Sequence, residues 1–246
     1  MDMVDLKSLR EKNLKLTKQK IRDSVNEDNL ISQAINSIDE IDKVSNILVK
    51  RLKEWYSLYN PEFVVSIQNN PKFVELIQKK SKSKLLEELK VKFSMGKDLE
   101  KKDLDAMMSL ARELSLIYEY KERQKKYLES IMESYCPNLL ELAGTTIGAK
   151  LIEHTGSLRK LALLPSSTVQ ILGAEKALFR HIRTGARPPK FGIIHDHQFI
   201  LQSKKAMQGK KARALADKIT LAIRADYFKG NFIADKLKKQ LEEKFK

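Results

Sequence analysis

Between Asp28 and Asn60 apolar residues recur every seven positions. Ile31, Ile38, Ser45, Leu52 and Tyr59 fall at one position of the repeat, and Ala34, Ile41, Leu48 and Trp55 fall three residues later. This spacing predicts a long helix with an a/d seam over four heptads. Pro61 ends it, because a proline disfavours helix in the residue before it. A matching seam runs from Leu104 to Tyr135. Met107, Leu114, Lys121, Leu128 and Tyr135 form one set, and Leu110, Ile117, Gln124 and Ile131 the other, up to Pro137. Two helices of similar length predict an antiparallel hairpin with arms of about 45 Å; a bundle with ordinary amphipathic faces is the alternative. If Ile31 lies opposite Tyr135, paired residue numbers sum to 166. Ser45 then meets Lys121, and Asp42 meets Gln124, in a polar layer that fixes register.

Between the arms, residues 61–103 carry short apolar faces separated by lysine-rich links such as KKSKSK, and read as small helices at the hairpin tip. Residues 1–27 read as a charged linker helix, leaving residues 28–137 for the hairpin. From Asn138 to Lys246 glycine and small residues become common. Short helices are expected near 139–154, 157–163, 167–184, 197–207 and 209–229, with an extended piece at Phe191–Ile194 and a lysine-rich end. The fold class is therefore all-α. Few glycines and prolines leave too few turns for a sandwich or barrel.

Charge sharpens this division. Residues 1–140 hold 26 Lys+Arg and 23 Asp+Glu, whereas residues 141–246 hold 21 and 9. A net excess of +12 on the second part, out of +15 overall, points to a polyanionic partner, of which nucleic acid is the commonest for a basic domain. The single cysteine, Cys136, permits no disulfide within the chain and suits a reducing compartment. The apolar runs are too short to span a membrane, and the N-terminus places charges where a signal peptide needs its apolar core. These features predict an intracellular, cytoplasmic protein without a membrane partner.

No catalytic constellation assembles. His195-Asp196-His197 lacks further ligands for a metal, and Cys136 lacks a base. Ser157 and Lys160 have a serine–lysine spacing without companion motifs, and Gly209-Lys210-Lys211 lacks the rest of a P-loop. The expectation is a non-enzyme without metal or cofactor. What stands out is LGAEKALFRHIRTGARPPKFG, Leu172–Gly192, where Glu175 is the single acid. On one helix Lys176, Arg180, Arg183 and Arg187 would share a wedge of about 60°, with Ala174, Ala177, Leu178, His181 and Ile182 opposite. Gly185 is expected to stop the helix, so that Arg187 and Lys190 extend the surface as a loop. Such a face is either a solvated helix surface or a phosphate-binding one, and the scarcity of acids favours the second. Lys211, Arg213 and Arg224 add cations on an alanine-rich helix.

These residues carry a resemblance. The segment from PNLLELAGTTIGAKLIEHTGSLRKLALLPSSTVQILGAEKALFRHIRTGARPPKFGIIHDH to GKKARALADKITLAIRAD resembles the Nop domain, and IDEIDKVSNILVKRLKEWYSLYNPEF resembles the coiled coil that precedes it in that family. The likeness covers about residues 28–230 and is nearest the archaeal box C/D branch. It implies a non-catalytic scaffold that docks on a kink-turn guide RNA together with a small ribosomal-protein-like kink-turn-binding protein. It also implies pairing with a second copy through the coiled coil, and support of RNA 2′-O-methylation by fibrillarin. Family members recruit fibrillarin through a domain ahead of the linker helix. This chain begins in that helix, so it resembles a truncated form and is expected not to recruit fibrillarin. By the resemblance, Gln170 and Ile171 meet the RNA stem. Glu175 belongs to the same partner-facing signature, while Lys176, Arg180 and Arg183 hold phosphates or the protein partner and Arg213 contacts the RNA backbone. A spliceosomal-type kink-turn binder, an RNA-modifying enzyme and a purely structural dimeriser are the competing readings.

Overall fold

The computed structural model describes residues 6–245, so residues 1–5 of the expected linker helix and Lys246 lie outside the described residues. Every regular element among the described residues is helical, which establishes the all-α class. The helices are α1 (Leu6–Asp23), α2 (Glu27–Tyr56), α3 (Pro61–Ser66), α4 (Asn70–Lys79), α5 (Lys82–Glu88), α6 (Lys101–Tyr135) and α7 (Pro137–Ala143). They continue with α8 (Thr145–Thr155), α9 (Leu158–Leu163), α10 (Ser166–Ile171), α11 (Glu175–Thr184), α12 (Gln198–Leu201), α13 (Gln208–Tyr227) and α14 (Ala234–Lys244). The chain divides into two compact units. One takes in the chain up to Ile35 and from Leu128 onward; the other is Asn36–Tyr127.

In the second unit the α2 and α6 segments run antiparallel. Val49, Leu52 and Tyr56 near the end of α2 share a core with Met107, Ala111 and Leu114 near the start of α6. Further along, Lys121 forms an ion pair with Asp42. The seam differs from the a/d expectation. On α2 its buried members in this unit are Ile38, Ser45 and Leu52 together with Val49 and Tyr56, so the second set stands four residues after the first. Ile41, Leu48 and Trp55 are half-buried instead, as are Leu110 and Ile117 on α6, where Ala111 takes the seam place. The register moves accordingly. The Asp42–Lys121 pair makes opposed residue numbers sum to 163, one helical turn from the expected register, and Lys121 meets Asp42 and not Ser45. The Ser45 hydroxyl donates to the Asp42 carbonyl at 3.1 Å, so a polar layer is present with changed partners.

The tip of this unit is a ring cluster. Tyr56, Phe63 and Phe73 pack with centroids 5.6–6.1 Å apart, Phe63 stacking on Phe73 at 5.7 Å. Asn60 caps α3 by accepting from the Phe63 amide at 3.2 Å, and Asn69 caps α4 from the Lys72 amide at 2.9 Å. Helix starts here follow from an Asn followed by proline in the first turn, where the ring costs no hydrogen bond.

The first unit is built on α13, which buries Ala212, Ala214, Leu215, Ala216, Ile219, Thr220, Ala222 and Ile223. Small residues let α7, α9 and α10 approach it closely. Ile31 and Leu128 are also buried in this unit, while Ile131 is half-buried and Met132 takes the seam place. Polar staples fix the helix ends. The Asp226 carboxylate accepts from the Asn138 amide (3.0 Å), the Leu139 amide (2.8 Å) and the Asn138 side chain (2.8 Å), capping α7. Asn138 in turn accepts from the Ile233 (2.6 Å) and Ala234 (3.0 Å) amides at the start of α14. Asp28 caps α9 by accepting from the Leu158 amide at 3.0 Å, and the Tyr135 hydroxyl hydrogen-bonds the same carboxylate. That contact too sums to 163.

Three expected helices change. The one expected over 139–154 breaks where the backbone turns at Gly144 (φ +78°), and the one over 167–184 breaks at Leu172–Ala174. The one over 197–207 shrinks to Gln198–Leu201, and the extended piece at Phe191–Ile194 gives way to a 3-10 turn at Ile193–Asp196.

Candidate nucleic-acid interface

The site grows from the break between α10 and α11. Gly173 adopts φ +86°, a left-handed conformation that reverses the chain after α10 and that a residue with a Cβ adopts at a cost. The returning loop crosses here. The Gly192 amide donates to the Gln170 carbonyl at 2.9 Å, and the Ile193 amide to the Leu172 carbonyl at 2.7 Å. A Cβ on Gly192 would stand 1.9 Å from the Leu172 oxygen, so the crossing requires glycine. The Gln170 side-chain amide donates to the Lys190 carbonyl at 2.6 Å, and the Lys190 stem lies beside Gly209 near the start of α13. Three backbone segments distant in sequence are thereby drawn to one place.

Glu175 opens α11 and locks the turn. Its carboxylate accepts from the Gly173 amide at 2.7 Å and pairs with His154 Nε2 at 2.7 Å. Burial pushes its carboxyl up. The Gly173 and Glu175 amides and His154 outweigh that and hold it below the usual carboxylate range. At the other end Gly185 stops the helix in the left-handed conformation, and the His181 ring bonds the Ala186 carbonyl.

α11 buries no residue. Ala174, Ala177, Leu178 and His181 are half-buried, as expected for its inner side. Ile182 is not: it is 69% exposed, and Phe179 is 61% exposed. At about 100° per residue these two form a wedge adjacent to Arg183, Lys176 and Arg180. The helix thus presents an apolar strip beside a basic one. Lys176, Arg180, Arg183, Arg187, Lys190 and Arg213 are all exposed, with no ion pair to any of them among the described residues. Arg213 shares a groove with Ser166, Lys210 and Asp217 on the α10–α13 side.

Other candidates are engaged within the chain. Glu175 serves the turn. Lys211 lies over the rings of Phe199 (4.5 Å) and Phe245 (5.8 Å). Arg224 donates to the Ala162 (3.2 Å) and Leu164 (3.4 Å) carbonyls, closing the C-terminal end of α9. Gln170 has its amide nitrogen committed to Lys190, and Ile171 is half-buried at the end of α10. Sequence reasoning missed the exposed strip and the Gly192 crossing; Phe179 immediately before Arg180 was the available signal for the strip. The remaining chemistry is quiet. Burial pushes the Cys136 thiol well above its usual range, and burial lowers His197, which hydrogen-bonds the Leu142 carbonyl at 3.1 Å. No group of three or more His, Cys, Asp or Glu that could hold a metal occurs among the described residues, and no described helix is long and apolar enough to cross a membrane.

The family model described as Nop, snoRNA binding domain, fibrillarin, matches residues 37–246, which includes all of this site. The chain belongs to the Nop family. An uncharacterised NOP5 family protein of Methanocaldococcus jannaschii is 41% identical over 246 residues, covering 93% of this chain and 59% of that protein. Nucleolar protein 56 of Homo sapiens is 36% identical, covering 93% of this chain and 42% of its own length. A solved chain from a fibrillarin/Nop5p complex superposes with a TM-score of 0.56 at 25% identity, covering 96% of this chain and 78% of that one. This Nop-family chain therefore spans about four- to six-tenths of the length of these curated relatives.

Proposed function

We propose that this chain is a non-catalytic scaffold of a box C/D guide ribonucleoprotein. Its α11 face docks on the composite surface of a kink-turn RNA and its kink-turn-binding protein. The observation that carries this is the juxtaposition on one helix, α11, of exposed cations with the exposed Phe179–Ile182 strip. Phosphates need cations alone; an apolar strip beside them suits a partner that is RNA on one side and protein on the other. The family description, the nucleolar relatives and the fibrillarin/Nop5p neighbour support the same reading. Gln170, with its amide oxygen directed by the Lys190 bond, and Ile171 supply uncharged contacts to the RNA stem.

Pairing with a second copy belongs to the same proposal. The half-buried Ile41 and Ile117, joined by the exposed Val44 and Tyr120, give the α2–α6 layer of the second unit an apolar flank outside its own seam, beside Leu48, Trp55 and Leu110, which pack on its core. Such a flank suits a coiled coil that bundles with its twin. In the assembled particle the scaffold supports 2′-O-methylation by fibrillarin. The test is a gel shift with kink-turn RNA, with and without the kink-turn-binding protein. Shift only when that protein is present is expected; equal shift without it sinks the composite reading.

A further inference from the structure

The irregular stretch after α5 is far more ordered in its bonding than its composition suggests. Glu62 on α3 accepts from the Met95 amide at 2.7 Å and the Ser94 hydroxyl at 2.8 Å. The Lys97 amide donates to the Leu58 carbonyl at 2.9 Å. Lys82 donates to the Gly96 carbonyl at 3.0 Å, pairs with Asp98 at 2.7 Å and lies 4.6 Å over the Tyr59 ring. Gly96 is pressed so closely on Tyr59 that a Cβ would fall 2.1 Å from its carbonyl oxygen. Alternate residues, Ser94 and Gly96, are thus pinned inward. The intervening ones, Phe93 and Met95, are turned out, 86% and 81% exposed. Along the same stretch of chain Lys90, Lys92 and Lys97, and Lys84 on α5, are exposed, with no ion pair among the described residues.

A fixed loop that holds an aromatic ring in water stabilises nothing in the fold by doing so. It does remove the ordering cost of binding something flat. Lysines before and after it in the chain favour a polyanion. We infer that this loop is a second RNA contact, in which Phe93 stacks on an unpaired base of a single-stranded segment, Met95 packs at its edge and the four lysines hold the flanking phosphates. Stacking on a π-face tolerates any base, so the contact reads single-strandedness and not sequence. The inference goes beyond the composite-surface reading and does not rest on it, since every residue it uses lies in Asn36–Tyr127.

The test uses the full chain with a short unstructured oligouridine carrying 5-iodouridine, cross-linked by light and mapped by mass spectrometry. An adduct on the peptide containing Phe93 is expected. In a chain whose Lys176, Arg180 and Arg183 are alanine, so that α11 does not mask the effect, Phe93→Leu should weaken oligouridine binding about tenfold, while Phe93→Trp keeps it. Adducts confined to other peptides would overturn the inference, as would Leu binding as well as Phe. Flotation with phosphatidylserine vesicles that is lost in Phe93→Leu would reassign the loop to a lipid surface, which also overturns it. Kink-turn assembly by Phe93→Leu in the otherwise native chain reports separately on the composite surface.

Discussion

α11 and α13 are written in the same alphabet, cations interleaved with alanine and aliphatic residues, and reach opposite ends. α13 buries eight residues and forms the pillar of its unit; α11 buries none. The difference lies in what each helix offers its neighbours. α13 presents alanines on the sides that α7, α9 and α10 approach, so backbones come close and its long aliphatic residues fill the gaps. α11 is tied at its ends through Glu175 and His181, rests on half-buried Ala177 and Leu178, and keeps Phe179, Ile182 and its Lys and Arg side chains outside. A helix fixed by its caps is free to spend its faces on a partner.

The largest effect should separate the two helices. Leu215→Ala on α13 should cost about 3–4 kcal/mol in urea unfolding. Phe179→Ala with Ile182→Ala on α11 should cost within about 0.5 kcal/mol. Comparable losses would erase the distinction. Gly192→Ala should come next, costing roughly 2 kcal/mol, because the new methyl must push the Leu172 carbonyl away. It should also weaken kink-turn assembly by shifting Lys190 and Gln170, as gel shift would show.

Acid should then act with opposite signs in the two regions. Glu175 is held below its ordinary value of 4.5, so its contribution is complete above that pH and is lost as pH falls through the lower folded value. Asp226, beside α13's end, is raised from 3.8 by burial, against its three N–H bonds. Between 3.8 and its raised value the folded chain binds the proton first, so its contribution falls as pH rises through that window. Urea midpoints across the acid range should lose part of their decline in Glu175→Gln. Asp226→Asn should change the slope the other way.

How far the sequence reveals this architecture depends on distance along the chain. The long helices are legible because a seven-residue repeat needs only neighbours. The register is not, because Leu48 and Val49, Trp55 and Tyr56, Leu110 and Ala111, and Ile131 and Met132 are adjacent apolar pairs. Either member could fill the seam by type, and the choice shifts the register by a turn. The exposed cations of α11 are legible from their spacing and the scarcity of acids. The engagement of Arg224 with Ala162 and Leu164, of Lys211 with Phe245, and the Gly192 crossing join residues far apart, and no local pattern encodes them.

Smaller effects refine the contrast among the cations themselves. Lys176→Ala and Arg183→Ala should each flatten the salt dependence of RNA binding by about one unit of log–log slope. Arg224→Ala should leave that slope alone and cost about 1 kcal/mol of stability through its two carbonyl bonds. Lys211→Ala should do likewise at about 0.5 kcal/mol, from its contact with two rings.

On the proposed function α11 presents one strip to protein and one to RNA. The direct measurement is the affinity of the Phe179→Ala, Ile182→Ala double variant for kink-turn RNA alone and for the same RNA carrying its kink-turn-binding protein. Affinity for free RNA should match the unaltered chain, and affinity for the complex should fall at least tenfold, a loss of about 1.4 kcal/mol. Equal loss on both, or no loss on either, would contradict the division of the helix into two strips.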